Sequence, residues 1–158
     1  MRLEQRDKEL AAIGASIGAN CRPCVEHHVP AGRKAGLSES ELVDAVATAR
    51  AVREQAVELF SARVDELLGR GSAPPEPTSR GDTSRDHELV ALGASIGANF
   101  HPLLELHIGA ALDVGLTAAE VEAALKMAGY VQERAAEMTA ERAAHALQNR
   151  AAAPAVTG

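Results

Sequence analysis

The chain has no tryptophan, one tyrosine and two phenylalanines, so aromatics make up 2% of its 158 residues. Aromatic rings bring the most buried area per residue to a core. Without them, and with alanine in their place, helices can pack closely but bury little, and a unit of roughly 70 residues already has a poor ratio of surface to volume. Two such units are therefore expected to pack on each other and on further copies, as a homo-oligomer. An excess of basic charge is also missing: 16 Lys and Arg face 22 Asp and Glu, the net charge is −6 and the pI is near 5.5. The arginines are dispersed and form no basic stripe, which argues against a nucleic-acid binder. No apolar run approaches the length of a bilayer span, so no membrane partner is expected. The first residues, MRLEQRDKEL, carry charges where a signal peptide has its apolar core. The expected location is cytoplasmic. There are only two cysteines, and in a reducing compartment a C-x-x-C pair is more often catalytic or metal-binding than a structural staple.

Those two cysteines carry the chemistry. Cys21 and Cys24 stand in ELAAIGASIGANCRPCVEHH, with Glu9 before them and His28 after. The segment recurs 79 residues later as ELVALGASIGANFHPLLELH, and just under half of the positions from 9 to 54 are identical to those from 88 to 133 without a gap. The second copy keeps Glu88, Glu105 and His107 but has Phe100 and Leu103 where the first has cysteine. Between the copies lies GRGSAPPEPTSRGDTSR, rich in Gly, Pro, Ser and Thr. The expected organisation is a repeat over 1–68, a flexible linker over 69–85, a degenerate repeat over 86–150 and a frayed, disordered tail over 151–158.

Periodicity predicts helices throughout. Leu10, Ile13 and Ile17 fall at helical spacing, and Asn20 offers an N-cap for a second helix with Pro23 in its first turn. Gly36 suits the left-handed C-cap position. Ser38 with Glu41, mirrored by Thr117 with Glu120, reads as a capping box opening a longer helix. The apolar stripe of that helix lapses near Arg50 and Arg53, which implies a kink or a break. No segment alternates with period two, so the fold class is all-α, a helical bundle of two tandem pseudo-symmetric repeats.

On a helix, Cys24 and His28 lie one turn apart on one face, with Cys21 near the same edge. Unpaired N–H groups and the dipole at the helix start favour thiolate over thiol. Such a sulfur can attack a peroxide oxygen or a disulfide, and its neighbour can close an internal disulfide. His28 suits the base that takes the thiol proton. Glu9 reaches the site only if two helices fold back as a hairpin, and its useful role is then to orient His28 or relay a proton. Metal binding is the rival reading, with Cys21, Cys24, His28 and either Glu26 or His27 as ligands, or a redox sensor without catalysis. His27 is expected to face solvent, and Glu26 and Glu105 to share a salt bridge at the repeat interface. Glu88 and His107 are expected to serve a structural partner half, with a retained acid/base or metal site as the sharper alternative. His101 and His145 show no pattern.

Glu, eleven residues, Cys-x-x-Cys, three residues, His, followed by the A-x-x-x-G-L-S-x-x-E boundary, resembles the AhpD-like (alkylhydroperoxidase D) branch of the carboxymuconolactone decarboxylase superfamily. The resemblance covers residues 9–54 and extends more weakly to 88–133. It implies an all-α, oligomeric enzyme, a peroxidase or disulfide oxidoreductase that reduces hydroperoxides through a reversible disulfide. By position, Glu9, Cys21, Cys24 and His28 would be its proton-relay site, with Cys24 the peroxidatic sulfur and Cys21 the resolving one. No bound cofactor is implied, only a dithiol reductant of lipoyl, thioredoxin-like or small-molecule kind. Pro23 departs from the family pattern, where a further histidine can precede the second cysteine, and C-R-P-C favours thiol-disulfide exchange.

Overall fold

The computed structural model describes residues 2–79, 81 and 83–152. They form six α-helices and no strand: α1 (Gln5–Gly18), α2 (Arg22–Lys34), α3 (Glu39–Leu67), α4 (Arg85–Gly97), α5 (His101–Asp113) and α6 (Ala118–Ala152). The order short, short, long occurs twice, in register with the sequence repeat. Residues 151 and 152, expected to be frayed, complete α6, and 153–158 lie outside the described residues.

The two halves meet where α1 crosses α4. A Cβ added to Gly14 would come within 2.1 Å of the Val90 carbonyl oxygen, and one on Gly93 within 2.0 Å of the Ala11 oxygen. Gly18 and Gly97 face the Ala94 and Ala15 oxygens in the same reciprocal way. Only a residue without a side chain permits this approach. Its effect is to bury most of both helices, from Leu10 to Ser16 and from His87 to Ser95. The long helices α3 and α6 each pack on both α1 and α4, whereas α2 leans mainly on α1 and α5 mainly on α4. Small side chains fill the centre, including Ala11, Ala12, Ala15, Ala91 and Ala94, all fully buried. Close packing of backbones thus substitutes for the missing rings.

Charged groups bracket the crossing with the same reciprocity. The Arg6 guanidinium donates to Asp86 at 2.5 Å and to Glu41 at 2.6 Å. Arg85 donates to Asp7 and to Glu120, both at 3.0 Å. Glu41 also closes the capping box with Ser38, as Glu120 does with Thr117, so both predicted boxes form. One carboxylate therefore caps its own helix and ties it to α1 or α4.

Two local expectations are corrected. Asn20 is not the N-cap of α2; it sits in the left-handed region at φ 54°, as does Asn99 at 53°, and short polar Asn tolerates that conformation at a helix end. Cys21 takes the N-cap place instead. The stripe lapse near Arg50 and Arg53 is neither kink nor break, because α3 runs unbroken from Glu39 to Leu67. Arg50 is exposed and Arg53 half-buried, beside a buried face that continues through Val52, Gln55, Ala56 and Leu59. Gly36, at φ 99° just beyond α2, does end that helix.

The crossing yields a sharp expectation. Gly14→Ala or Gly93→Ala should destabilise the protein by about 3 kcal/mol or more, the upper range for overpacking. Gly109→Ala, in α5 with nothing within 4 Å of the added carbon, should instead stabilise by about 0.5–1 kcal/mol. Urea midpoints for the variants decide this, and equal effects at both sites would refute the close crossing.

The caps yield another, in pH. The Ser38 backbone N–H and hydroxyl, followed by Arg6, hold the Glu41 carboxyl down to about 2, and Thr117 with Arg85 lowers that of Glu120. A carboxyl whose folded pKa is depressed contributes stability that is complete above its unfolded value and is lost as pH falls through the folded one. The stability gap between wild type and Glu41→Gln should therefore be widest above about 4.5 and close as pH falls towards about 2. Chemical unfolding across that window measures it, and a gap independent of pH would contradict the assignment.

Candidate active site

Cys21 ends the turn after α1 and begins α2 at once. Its backbone N–H closes α1 by donating to the Ser16 carbonyl at 2.9 Å, and its sulfur accepts the Cys24 backbone N–H at 3.3 Å as the α2 N-cap. With no spare residue between the helices, α1 and α2 form the tight hairpin that Glu9 needs in order to reach the cysteines' helix. Pro23 occupies the first turn, where its missing N–H costs nothing.

The hairpin joins the four predicted residues as two pairs, Cys21 with Cys24 and Glu9 with His28. Cys21 and Cys24 are joined in a disulfide with an S–S distance of 2.05 Å. One turn along, His28 Nδ1 lies 2.9 Å from Glu9 Oε2. The second carboxylate oxygen of Glu9 accepts from the Gln5 amide at 2.7 Å. With Nδ1 committed to the carboxylate, the imidazole is oriented and its Nε2 is left as the atom that can take or give a proton. Both members of the pair are largely buried, the side chains being 12% exposed for His28 and 7% for Glu9.

Both cysteines are buried. Cys21 retains 7% and Cys24 5% of full exposure. They belong to an apolar cluster with Ala12 and Ala15 of α1 and with Ala128, Val131 and Ala135 of α6, flanked by Met127 and Met138. The long helix of the cysteine-free half therefore shares an apolar cluster with the disulfide of the other half. A cavity of about 490 Å³ opens elsewhere, between α3 and α4, with His87, Asp86, Glu41 and Asp44 on its walls.

The mirrored positions keep the frame and drop the sulfur. His107 Nδ1 lies 2.8 Å from Glu88 Oε2. Phe100 is the N-cap of α5 and makes no side-chain capping bond. Leu103 is buried in the core.

Other expectations fare differently. His27 is exposed, as expected. Glu26 does not serve the repeat interface; it is exposed and accepts from Arg22 on its own helix at 2.8 Å. Glu105 is exposed as well. Both lie on outer faces of α2 and α5, away from the crossing, so no shared bridge forms between them. For the metal reading, the joined sulfurs offer no thiolate, and Glu26 is bonded to Arg22. Sequence reasoning overlooked Gln5, the α6 residues of the cysteines' cluster and His87. The signal for His87 lay in the repeat itself, where it replaces Lys8, one position before the shared glutamate.

Residues 2–66 match the carboxymuconolactone decarboxylase family. The matched segment, which carries α1, α2, most of α3, the cysteine pair and the Glu9–His28 bridge, is similar to that family, which embraces the AhpD-like proteins. No curated protein and no solved structure is matched by the chain. Among the described residues no helix is long and apolar enough to cross a membrane.

Proposed function

We propose that the chain is a dithiol oxidoreductase that reduces hydroperoxides, or disulfides, through reversible closure of the Cys21–Cys24 bond. The observation that carries this reading is the placement of the Glu9–His28 pair one turn from a sulfur pair able to form a disulfide.

In the reduced enzyme, His28 Nε2 takes the Cys24 thiol proton. The Cys24 thiolate attacks the terminal oxygen of the hydroperoxide, the O–O bond breaks, and the alcohol leaves carrying a proton returned by His28. Sulfur is oxidised to the sulfenic acid and the peroxide is reduced. Cys21 then attacks that sulfur as its own thiol proton is lost, water leaves, and the disulfide forms. Two electrons and two protons from a dithiol of lipoyl or thioredoxin-like kind reopen it by exchange through a mixed disulfide. The Cys24 N–H at the Cys21 sulfur, at the helix N-terminus, stabilises Cys21 as a thiolate and so as a leaving group in that exchange. Glu9 acts through His28, orienting the ring and balancing its charge when protonated. No bound cofactor has a part in these steps.

The cysteine-free half serves as a partner within the chain, contributing α4 to the crossing and α6 to the apolar cluster that holds the cysteines. Further copies would pack where Val57, Phe60 and Leu67 leave an apolar row exposed along α3.

Steady-state turnover of an organic hydroperoxide with excess dithiol tests the reading. Cys24→Ser should abolish turnover, while Cys21→Ser should still yield a trappable sulfenic acid. The reverse pattern would exchange the two roles, and unaltered turnover in both variants would refute the proposal. His28→Gln should lower kcat/KM by about 10²-fold or more, the usual contribution of a positioned base. Glu9→Gln should lower it less and shift the pH profile, as expected for an orienting group.

A further inference from the structure

The half without thiols holds a polar cluster that the redox chemistry does not use. His87 and Glu88 of α4 and His107 of α5 each offer one donor atom, and the three atoms lie within 4.8 Å of one another. All three residues are buried, Glu88 completely. Glu88 Oε2 is engaged by His107, but Oε1 has no hydrogen-bond donor. The His87 Nε2 atom stands 3.9 Å from it, beyond hydrogen-bond range. A carboxylate oxygen shut away from water without a donor is costly, and an ion is one of the few groups that can settle it.

Comparison of the repeated segments shows why the carboxylate oxygen lacks a donor in one half only. In the first half the corresponding oxygen, on Glu9, receives the Gln5 amide. Ser84 stands in the place of Gln5, and its hydroxyl is spent capping α4 by accepting the His87 backbone N–H at 3.1 Å. Where the first half has Lys8, the second has His87. The half without the two sulfurs and the amide donor thus has an imidazole beside the matching carboxylate.

We propose that His87, Glu88 and His107 form a binding site for one divalent cation of the zinc class. Two imidazoles and one carboxylate are donors that suit such an ion rather than magnesium or calcium, and they leave a fourth position open. A tetrahedral ion needs donors roughly 3.3 Å apart, so the trio would close by about 1.5 Å at most. The 490 Å³ cavity gives access, because His87 lines it. Among the described residues Glu41, Asp44 and Asp86 line this cavity and the Arg6 guanidinium bonds two of them, which leaves net negative charge to draw cations inward. The Thr48 hydroxyl lies 3.3 Å from His87 Nδ1, a contact that orients the ring through the nitrogen that does not face Glu88.

The test uses the full chain in its disulfide form, where no thiolate competes. After treatment with chelator it is titrated with Co²⁺ as a spectroscopic probe and then with Zn²⁺. The expected result is one Co²⁺ per chain with the visible ligand-field bands of a low-coordinate site, displacement by Zn²⁺, and a Tm that rises with Zn²⁺ concentration. His87→Lys, which installs the first half's own residue, should weaken Zn²⁺ binding about a hundredfold. Glu88→Gln, nearly isosteric, should do the same and serves if His87→Lys does not fold. Absence of stoichiometric binding, binding unchanged in a folded variant, or binding abolished by His28→Gln instead would each overturn the site.

Discussion

The approach of α1 to α4, glycine against carbonyl oxygen, is the constraint on which the rest of the structure depends. It is paid for in conformational entropy by Gly14, Gly18, Gly93 and Gly97 and in return lets two short, alanine-rich helices bury nearly all their surface. Glu9 and Glu88 ride on these two helices, so both carboxylates are carried into the interior by the same contact. The reciprocal Arg6 and Arg85 clusters then fix the ends of α3 and α6 against the crossing. A site that moves protons needs its groups held within a fraction of an ångström, and a rigid pair of backbones provides that better than a fluid apolar core.

The two halves share a frame and differ in what they attach to it. In the first, an amide from Gln5 and the His28 imidazole each engage one oxygen of the buried carboxylate. In the second, the amide and the sulfurs are absent and His87 is present. The halves are also interdependent, since Ala128, Val131 and Ala135 of α6 share an apolar cluster with the cysteines of the first half. The cysteine-free half is therefore part of the surroundings of the Cys21–Cys24 disulfide.

Much of this was legible in the sequence because it depends on local spacing. The cysteine pair and His28 lie within one or two turns, the capping boxes within four residues, and Leu10, Ile13 and Ile17 fall at helical spacing. Glu9 was recognisable through the family pattern and the repeat, but its contact with His28 requires the α1–α2 hairpin. What escaped depended on tertiary contact or on competition for one residue. Asn20 has a capping side chain, yet ending α1 demanded a left-handed residue there and Cys21 took the cap. Arg50 and Arg53 interrupt a stripe but do not break a helix that has solvent on one side. Glu26 found a partner one turn back, which repeat symmetry alone could not reveal. The spacing of Gly14 to Gly18, repeated at Gly93 to Gly97, was visible as a pattern, but only the crossing gives it meaning.

The central claim is that Cys21 and Cys24 act as one two-electron couple. Intact mass of the fully reduced chain after a single equivalent of organic hydroperoxide, with the alcohol quantified in the same sample, tests it most directly. The account predicts loss of the mass of two hydrogens per chain, matched by one alcohol and restored by dithiol. An unchanged mass, or added oxygen without closure of the bond, would contradict it.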